Sequence, residues 1–391
     1  YGTSLFHWDS SIPKAGEFVI VGGIRMYSLS SALIYSTPTI FIKNATDART
    51  SLAMIKDASE ITKQLLEGGH STFAGRLAGA FRNIGRDRIA DDIIKTMQSA
   101  GYDVRESDPF ETSTGITLSS REASPYVNRI KLMWHQMREV VIETFPKSSG
   151  LPRDHEKYMK AVEEIYVTDA YHSLSIERYR VTPALIERVR TGTWDSANSE
   201  EDKKQRDAMA ARGYWQATQK VRESILKILN SKNAGTVADE DHGDWYRELF
   251  APGVTAGLLN ASDLAGYRSH QVYISGSKHL PVNKDGVRDT MPLLFELLKE
   301  EHEASVRAVL GHFIFVYIHP YTDGNGRMGR FLMNVMLASG GYPWTVIPVE
   351  ERNQYMEALE KASVGGNIED FTKFLAYLVG EGMKGTPVAK I

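Results

Sequence analysis

Residues 319–330 read HPYTDGNGRMGR and are the most informative segment of the chain. It brings together a histidine, a carboxylate, a Gly-Asn-Gly turn and two arginines, between the apolar runs 313–318 and 331–338. Glycines on both sides of an asparagine leave successive backbone N–H groups free to converge on an anion. If a helix begins at this turn, its N-terminal N–H groups and its dipole add to that anion site. Arg327 and Arg330 would then share one helical face. The stretch therefore predicts a polyphosphate cradle with a general base beside it.

The same stretch also fits a second interpretation, a dinucleotide-binding loop. Gly324, Gly326 and Gly329 have the G-x-G-x-x-G spacing, and Glu350 lies about where an acidic ribose ligand is expected. However, the apolar residues between 306 and 317 recur at helical spacing, so the preceding segment is predicted to be a helix instead of a strand. Strands and helices do not alternate around it either. The dinucleotide interpretation is therefore rejected.

Composition sets wide limits on the function. The chain has 391 residues, enough for two domains, and a net charge of −3 that favours neither nucleic acid nor acidic membranes as partners. The absence of cysteine excludes disulfides, thiolate metal sites and a cysteine nucleophile, and it fits a cytoplasmic location. No apolar run is long enough to span a membrane, so no membrane partner is expected.

Residues 1–115 are predicted to form a small α+β domain, either regulatory or similar to a helix-turn-helix. A hairpin is predicted at 18–27, a third strand at 39–43, and helices at 47–67, 74–82 and 86–99. Two helices joined by a glycine-containing turn are typical of DNA-reading units. Residues 1–110, however, contain twelve Lys+Arg and twelve Asp+Glu, whereas phosphate binding normally requires a basic excess. DNA binding through residues 1–110 is therefore a weakly supported expectation, and a packing or regulatory role is the simpler one.

Residues 116–391 are predicted to form a second, strongly helical domain. Helical spacing covers 126–144, 155–179, 200–229, 240–250, 290–318 and 355–378, and Pro183 opens a further helix. Between these helices, residues 271–281 read as a hairpin that leads towards Val287.

The motif of residues 319–330 resembles the signature of the Fic family, HPFx[D/E]GNGRxxR, with Tyr321 where phenylalanine is usual. Segments beginning at Gly266, Val272 and His279 look like the hairpin "flap" that precedes the motif in that family, and 352–355 looks like its R-x-x-Y helix. The resemblance covers roughly residues 120–380. It implies a mainly α fold: a Fic-type helical bundle with a β-hairpin flap, preceded here by the small α+β domain.

This resemblance implies a magnesium-dependent protein adenylyltransferase, which transfers AMP from ATP to a Ser, Thr or Tyr hydroxyl of a target protein docked on the flap, 271–281. His319 would act as general base, and Asp323 would hold Mg²⁺ against the phosphates. Charge at the α-phosphate would be stabilised by Gly324, Asn325 and Gly326. Arg327 and Arg330 would bind the outer phosphates. A homodimer is a further expectation.

Residues 172–178, HSLSIER, resemble the family's inhibitory helix, [S/T]xxxE[G/N], placed here around 170–180. Ser173 and Glu177 match its fixed positions, and the resemblance implies that Glu177 pairs with Arg330 and competes with phosphate. Arg178 departs from glycine or asparagine, which predicts a weaker or differently released inhibition. The alternative is an exposed helix carboxylate paired with a neighbouring arginine.

Three other functions remain open at this point. The same site would also suit hydrolysis of the AMP ester, with Glu177 positioning a water, or transfer of a different phosphate-containing group. A regulatory module that binds nucleotide and DNA without turnover is the third. The intact His319, Asp323 and two motif arginines argue against the last.

Overall fold

The computed structural model describes residues 13–111, 125–193 and 206–391. The chain divides into two compact units, residues 1–120 and 121–391. The domain boundary expected near 115, and the start of the helix expected at 200, lie outside the described residues. No helix among the described residues is both long and apolar enough to cross a membrane.

Over its described residues, 13–111, the first unit is a two-stranded hairpin followed by six helices. Strands β1 (Phe18–Val21) and β2 (Ile24–Tyr27) pair antiparallel around Gly22 and Gly23, whose φ angles of 58° and 81° suit glycine in a tight turn. This confirms the predicted hairpin and the helices expected at 74–82 and 86–99. The elements are β1 (Phe18–Val21), β2 (Ile24–Tyr27), α1 (Leu29–Tyr35), α2 (Pro38–Lys43), α3 (Ala45–Ala53), α4 (Ser59–Gly68), α5 (Ser71–Asn83) and α6 (Asp87–Ser99).

Two predictions for this unit were wrong in detail. The third strand expected at 39–43 is helix α2, because Pro38 occupies the first helical position, where its fixed φ favours a helix, and Phe41 enters the core. The single helix expected over 47–67 is interrupted between α3 and α4. There the Asp57 carboxylate accepts a hydrogen bond from the Ser59 N–H (2.7 Å) and ends the helical run.

The second unit is helical wherever the structure assigns it regular elements. Its helices are α7 (Pro125–Thr144), α8 (His155–Glu164), α9 (Tyr166–Ile176), α10 (Pro183–Arg190), α11 (Arg206–Leu229), α12 (Ala234–Thr255), α13 (Lys284–Glu300), α14 (Ala304–Ile318), α15 (Asn325–Ala338), α16 (Arg352–Gly365) and α17 (Glu369–Met383). Short 3₁₀ turns lie at Ala261–Ala265 and Val349–Glu351. The chain is therefore mainly α-helical, as expected.

Helices α14 and α15 form the core of this unit. Nearly every residue of both helices is buried, which is typical of helices surrounded by other helices. Helices α11 and α12 pack closely against each other: a Cβ at Gly213 would lie 2.0 Å from the carbonyl oxygen of Leu249. The loop 319–324 connects α14 to α15 and is thus fixed at both ends by the core.

The predicted β-hairpin at 271–281 is a turn without strands. The Ser277 N–H donates to the Ile274 carbonyl (3.1 Å), which closes a turn, but no strand ladder flanks it in this described segment. The Gln271 side chain bridges the two arms instead: its Nε2 donates to the Pro281 carbonyl (3.2 Å). A backbone ladder bond from Pro281 is impossible, because proline has no N–H. Nearby, the expected helix 290–318 is broken into α13 and α14 around Glu301, which binds Arg138 with both oxygens.

Candidate active site

The loop that follows α14 presents His319. This residue ends the helix in the left-handed region, with φ 55° and ψ 60°. Its Nδ1 lies 3.3 Å from the Val316 carbonyl oxygen, which only accepts hydrogen bonds, so Nδ1 carries the proton and Nε2 keeps its lone pair. Burial lowers the pKa of His319 to about 4. A neutral imidazole with a free Nε2 has the protonation state that a general base requires.

The loop itself is held by Asn325 and Tyr321. The Asn325 carboxamide accepts from the Tyr321 N–H (2.9 Å) and donates to the Tyr321 carbonyl (2.8 Å), so it clamps the turn from the first residue of α15. The Tyr321 ring is buried and stacks on Tyr246, with ring centroids 3.8 Å apart. Tyrosine therefore serves here as the aromatic anchor under the loop. The role of Asn325 towards a phosphate stays a prediction.

Helix α15 begins with an anion-binding geometry. Gly324 precedes it with φ 82°, where a Cβ would also meet the Phe250 ring at 2.8 Å. Asp323 is exposed, and its Oδ1 accepts from the Gly324 N–H (2.6 Å). Among the described residues, no group of three or more His, Cys, Asp or Glu side chains converges on a metal position. One exposed carboxylate next to a phosphate site still suits Mg²⁺, which favours few carboxylates plus phosphate oxygens.

Arg327 is fully buried but short of acceptors. Its guanidinium lies between the rings of Tyr179 (5.1 Å) and Phe250 (5.0 Å). Asp323 Oδ2 is 3.5 Å from Nη2, and neither Nε nor Nη2 makes a hydrogen bond. Buried donors without partners are costly, so this geometry favours an anionic ligand at the site. Arg327 thus fits the predicted phosphate contact.

Arg330, in contrast, is occupied by the helix predicted to be inhibitory. Its Nε donates to Ser173 Oγ (2.7 Å), and its Nη2 donates to the Ser173 carbonyl (3.0 Å) and to Glu177 Oε1 (2.8 Å). A Cβ at Gly326 would lie only 2.2 Å from Glu177 Oε1, so the carboxylate rests against the first turn of α15. Burial alone would raise the pKa of Glu177, but the charges of Arg330 and Arg327 outweigh it and hold it below its ordinary value.

The end of α9 has the geometry of a Schellman cap. The Tyr179 N–H donates to the Leu174 carbonyl (3.1 Å) and the Arg178 N–H to the Ser175 carbonyl (2.9 Å). Arg178 takes the left-handed position of this cap, with φ 65°, where glycine or asparagine is normally favoured. The departure from the family pattern thus changes the residue without removing the cap. Glu177 still accepts the hydrogen bond from Arg330.

Further side chains hold α9 in position. Arg352 Nε donates to the Ile176 carbonyl (2.9 Å), and the Val349 N–H donates to His172 Nδ1 (3.1 Å). Because Nδ1 accepts, His172 Nε2 carries the proton and donates to the Lys390 carbonyl (3.1 Å). Sequence reasoning missed His172, because a lone histidine offers no signal of its partners.

The turn of 271–281 is tethered to neighbouring helices. Glu360 of α16 accepts from the Lys278 N–H (2.7 Å) and from the Ser277 hydroxyl. His279 Nε2 contacts the Tyr317 carbonyl oxygen at 2.8 Å. Tyr273 remains 79% exposed. The segment therefore offers an exposed tip on a fixed base.

Three arginines in or next to the two helices that suggested DNA binding have partners within the first unit. Arg76 is buried and donates to a backbone carbonyl of α1. Arg82 binds the carboxylates of Asp91 and Glu106, and Arg86 donates to backbone carbonyls at and after the end of α3. These three side chains are committed to contacts within the unit.

Taken together, the second unit is a helical domain in which the loop that carries His319 leads into the N-terminus of a buried helix. Residues 242–337, which contain the 319–330 motif, match the Fic/DOC family. This confirms the resemblance seen in the sequence.

Curated relatives are named Protein adenylyltransferase Fic. The protein from Drosophila virilis is 28% identical over 232 residues, 58% of this chain and 44% of the relative. The one from Nematostella vectensis is 25% identical over 255 residues, 63% of this chain and 55% of the relative. The alignments thus span about half the length of these relatives. Among solved structures, Fic-1 from C. elegans aligns with a TM-score of 0.45 and 19% identity, over 92% of this chain and 97% of that one.

Proposed function

We propose that this chain is a protein adenylyltransferase that transfers AMP from ATP to a Ser, Thr or Tyr hydroxyl of another protein. The observation that carries the proposal is the arrangement at the start of α15: a neutral His319 precedes a helix N-terminus, beside the unpartnered donors of Arg327. The name shared by the curated relatives supports the same activity.

In the proposed mechanism, Nε2 of His319 takes the proton of the target hydroxyl, and the hydroxyl oxygen forms a bond to the α-phosphorus of ATP. The bond between that phosphorus and the oxygen bridging to the β-phosphate breaks, and pyrophosphate leaves. Arg327 and Arg330 would hold the pyrophosphate group, while the amides of Gly324, Asn325 and Gly326 would stabilise charge at the α-phosphate. Asp323 would hold Mg²⁺, which would neutralise part of the phosphate charge when bound.

Glu177 is proposed to inhibit this reaction. A carboxylate bound to Arg330 and placed against Gly326 competes with phosphate for the guanidinium and repels the incoming anion. Glu177→Gly should therefore bind ATP roughly tenfold more tightly or better, because a charge-assisted hydrogen bond contributes about 1.5–3 kcal/mol. Glu177→Gln removes the charge but keeps nearly the same side-chain volume. It should show much of the same gain in ATP affinity. Glu156→Gln, an exposed carboxylate on α8, is the matched control and should change nothing.

The test is incubation of wild type and Glu177→Gly with α-labelled ATP and Mg²⁺ in the presence of lysate proteins. Label should appear on protein and be stronger in Glu177→Gly. His319→Ala in the same background should reduce labelling by about 10²- to 10⁴-fold, the usual contribution of a general base. Absence of label from Glu177→Gly under all conditions would contradict transferase activity.

The reverse reaction is a second candidate, because the Glu177 carboxylate rests against Gly326, in the first turn of the helix that follows the His319 loop. In that case Glu177 would position a water for hydrolysis of the AMP ester. A target already carrying AMP separates the two: Glu177→Gly would lose hydrolysis while gaining transfer. If neither reaction occurs, a gel shift with duplex DNA, comparing the full chain with residues 121–391, tests the non-catalytic module.

Other parts of this proposal rest on the resemblance. Docking of the target on 271–281 draws on the exposed tip of that segment and on main-chain pairing as a common mode of peptide recognition. A homodimer and a cytoplasmic location stay predictions, to be checked by sedimentation and by microscopy of the tagged protein.

A further inference from the structure

Arg268 is a buried arginine whose side-chain hydrogen bonds all go to backbone carbonyls. Nε donates to the His319 carbonyl (2.8 Å) and Nη1 to the His270 carbonyl (2.9 Å). Nη2 donates to the Ile318 carbonyl (3.3 Å) and to the carbonyl of Val282. The residue is only 2% exposed. One side chain thus joins both arms of the 271–281 segment to the end of α14.

The main chain of Arg268 completes this contact. Its N–H donates to the Pro320 carbonyl (2.9 Å), so the carbonyls of three successive residues, 318–320, all bond to Arg268. His319, in the middle, has a left-handed backbone, which is strained for a non-glycine residue and persists only where the surroundings enforce it. Arg268 is the residue whose contacts surround that conformation.

We propose that Arg268 is a positioning residue for His319: its clamp on the carbonyls of residues 318–320 holds the histidine backbone left-handed and aims the imidazole at the reacting hydroxyl. The proposal rests on the proposed transferase function for its kinetic consequence. Its structural consequence, the conformation and environment of His319, does not depend on that function.

The charge of Arg268 also affects His319, because it favours the neutral imidazole. After burial, the guanidinium is among the causes that lower the pKa of His319. Burial, with a smaller contribution from the charge of Arg288, lowers the pKa of Arg268 itself to about 10, so the side chain remains ionised at neutral pH. Loss of the guanidinium should therefore raise the pKa of His319, an effect that a purely structural residue would not produce.

The experiment compares Arg268→Met and Arg268→Lys in the Glu177→Gly full-length chain. The pKa of His319 is read from ¹⁵N-histidine NMR titrations, and kcat and KM for ATP from labelling. Arg268→Met should raise the pKa of His319 and lower kcat about 10²-fold, as expected for a misplaced catalytic group, with KM for ATP nearly unchanged. Arg268→Lys keeps the positive charge but replaces the three donor nitrogens of the guanidinium with one. The pKa of His319 should therefore stay low, while kcat should still fall.

Arg307→Met is the matched control, because Arg307 is another arginine that donates to backbone carbonyls (Glu301, 2.5 Å; His302, 3.0 Å), away from the loop. It should lower the melting temperature without changing the pKa of His319. An unchanged His319 pKa and an unchanged kcat in folded Arg268→Met would overturn the proposal. If Arg268→Met does not fold, Arg268→Lys with parental kcat would overturn it instead. If the Glu177→Gly parent shows no labelling, the transferase function fails, and the NMR comparison still decides the role of Arg268.

Discussion

At the residue scale, the two motif arginines are in opposite states. Arg330 is bound by Ser173 and Glu177, whereas Arg327 lies between two aromatic rings with donors that have no hydrogen-bond partner. Under the proposed function, the helix that carries Glu177 would block the part of the phosphate site formed by Arg330 and leave Arg327 available to a ligand.

The backbone of Arg178 leads to the first prediction. A left-handed non-glycine residue costs about 1 kcal/mol or more, so Arg178→Gly should stabilise the cap of α9 by up to about 1 kcal/mol. A better cap should also hold Glu177 more firmly on Arg330 and lower basal labelling. Urea unfolding and labelling assays measure the two effects. A loss of stability in Arg178→Gly would contradict the assigned strain.

The aromatic rings around Arg327 lead to the second prediction. A cation–π contact contributes about 1 kcal/mol at an exposed site and more when desolvated, so Tyr179→Leu in the Glu177→Gly background should weaken ATP binding at least about fivefold. Calorimetric titration with ATP measures this change. Tyr179→Phe keeps the ring face and is the control, expected to bind like its parent. Equal affinities for the leucine and phenylalanine variants would remove the ring from this role.

At the scale of elements, helix α9 and the segment 271–281 are each held by side chains from distant parts of the second unit. Arg352 and Val349 fix α9 from the region that begins α16, and Glu360 of the same helix fixes the turn of 271–281. Helix α16 thus contacts both the proposed inhibitory segment and the proposed docking segment.

Glu360 provides the prediction at this scale. Glu360→Ala removes both acceptors from the turn, so amide hydrogen exchange within 271–281 should accelerate about tenfold or more. The KM for a protein target should rise, while ATP affinity should stay the same, because Arg327 and Arg330 are untouched. Glu357→Ala, on the same helix but exposed, is the control. Unaltered exchange in Glu360→Ala would mean that other contacts hold the turn.

At the scale of the whole molecule, buried neutral histidines make stability depend on pH. His172 and His312 are fully buried, and burial lowers the pKa of both, that of His312 to about 3. The unfolded chain binds protons to these side chains below about pH 6.5, whereas the folded chain binds them only at lower pH. The unfolded state therefore gains protons first, and the free energy of unfolding falls as the pH decreases below 6.5.

For His312, whose pKa is lowered to about 3, the slope should approach about 1.4 kcal/mol per pH unit below pH 6.5. Urea unfolding between pH 7 and pH 5 measures it. His312→Gln removes one titrating group and should flatten the slope by that amount. His135→Gln, at an exposed position, should leave it unaltered. A slope identical in His312→Gln and wild type would show that His312 titrates normally in the folded protein.

The sequence alone determined most of the elements and the content of the catalytic loop. Helical spacing located most of the helices of both units, because periodicity reports the buried face directly, and the turn at Gly22-Gly23 located the hairpin. Residues 319–330 also carried the loop chemistry within one short segment. Local pattern failed at α2, where burial of Phe41 outweighed the β propensity of the segment, and at 271–281, where side-chain bridges replace a strand ladder.

Only the tertiary structure decided which donors are occupied and which are free. The contact between Glu177 and Arg330 joins residues 153 positions apart, and that between Arg268 and His319 joins residues 51 positions apart. Such pairings depend on how the helices pack, and no local periodicity encodes them. An arginine that binds only carbonyls, like Arg268, leaves no signal in sequence, because every residue offers a carbonyl. The chemistry of the site was therefore readable from the chain, but its control and its support depend on the packing of distant segments.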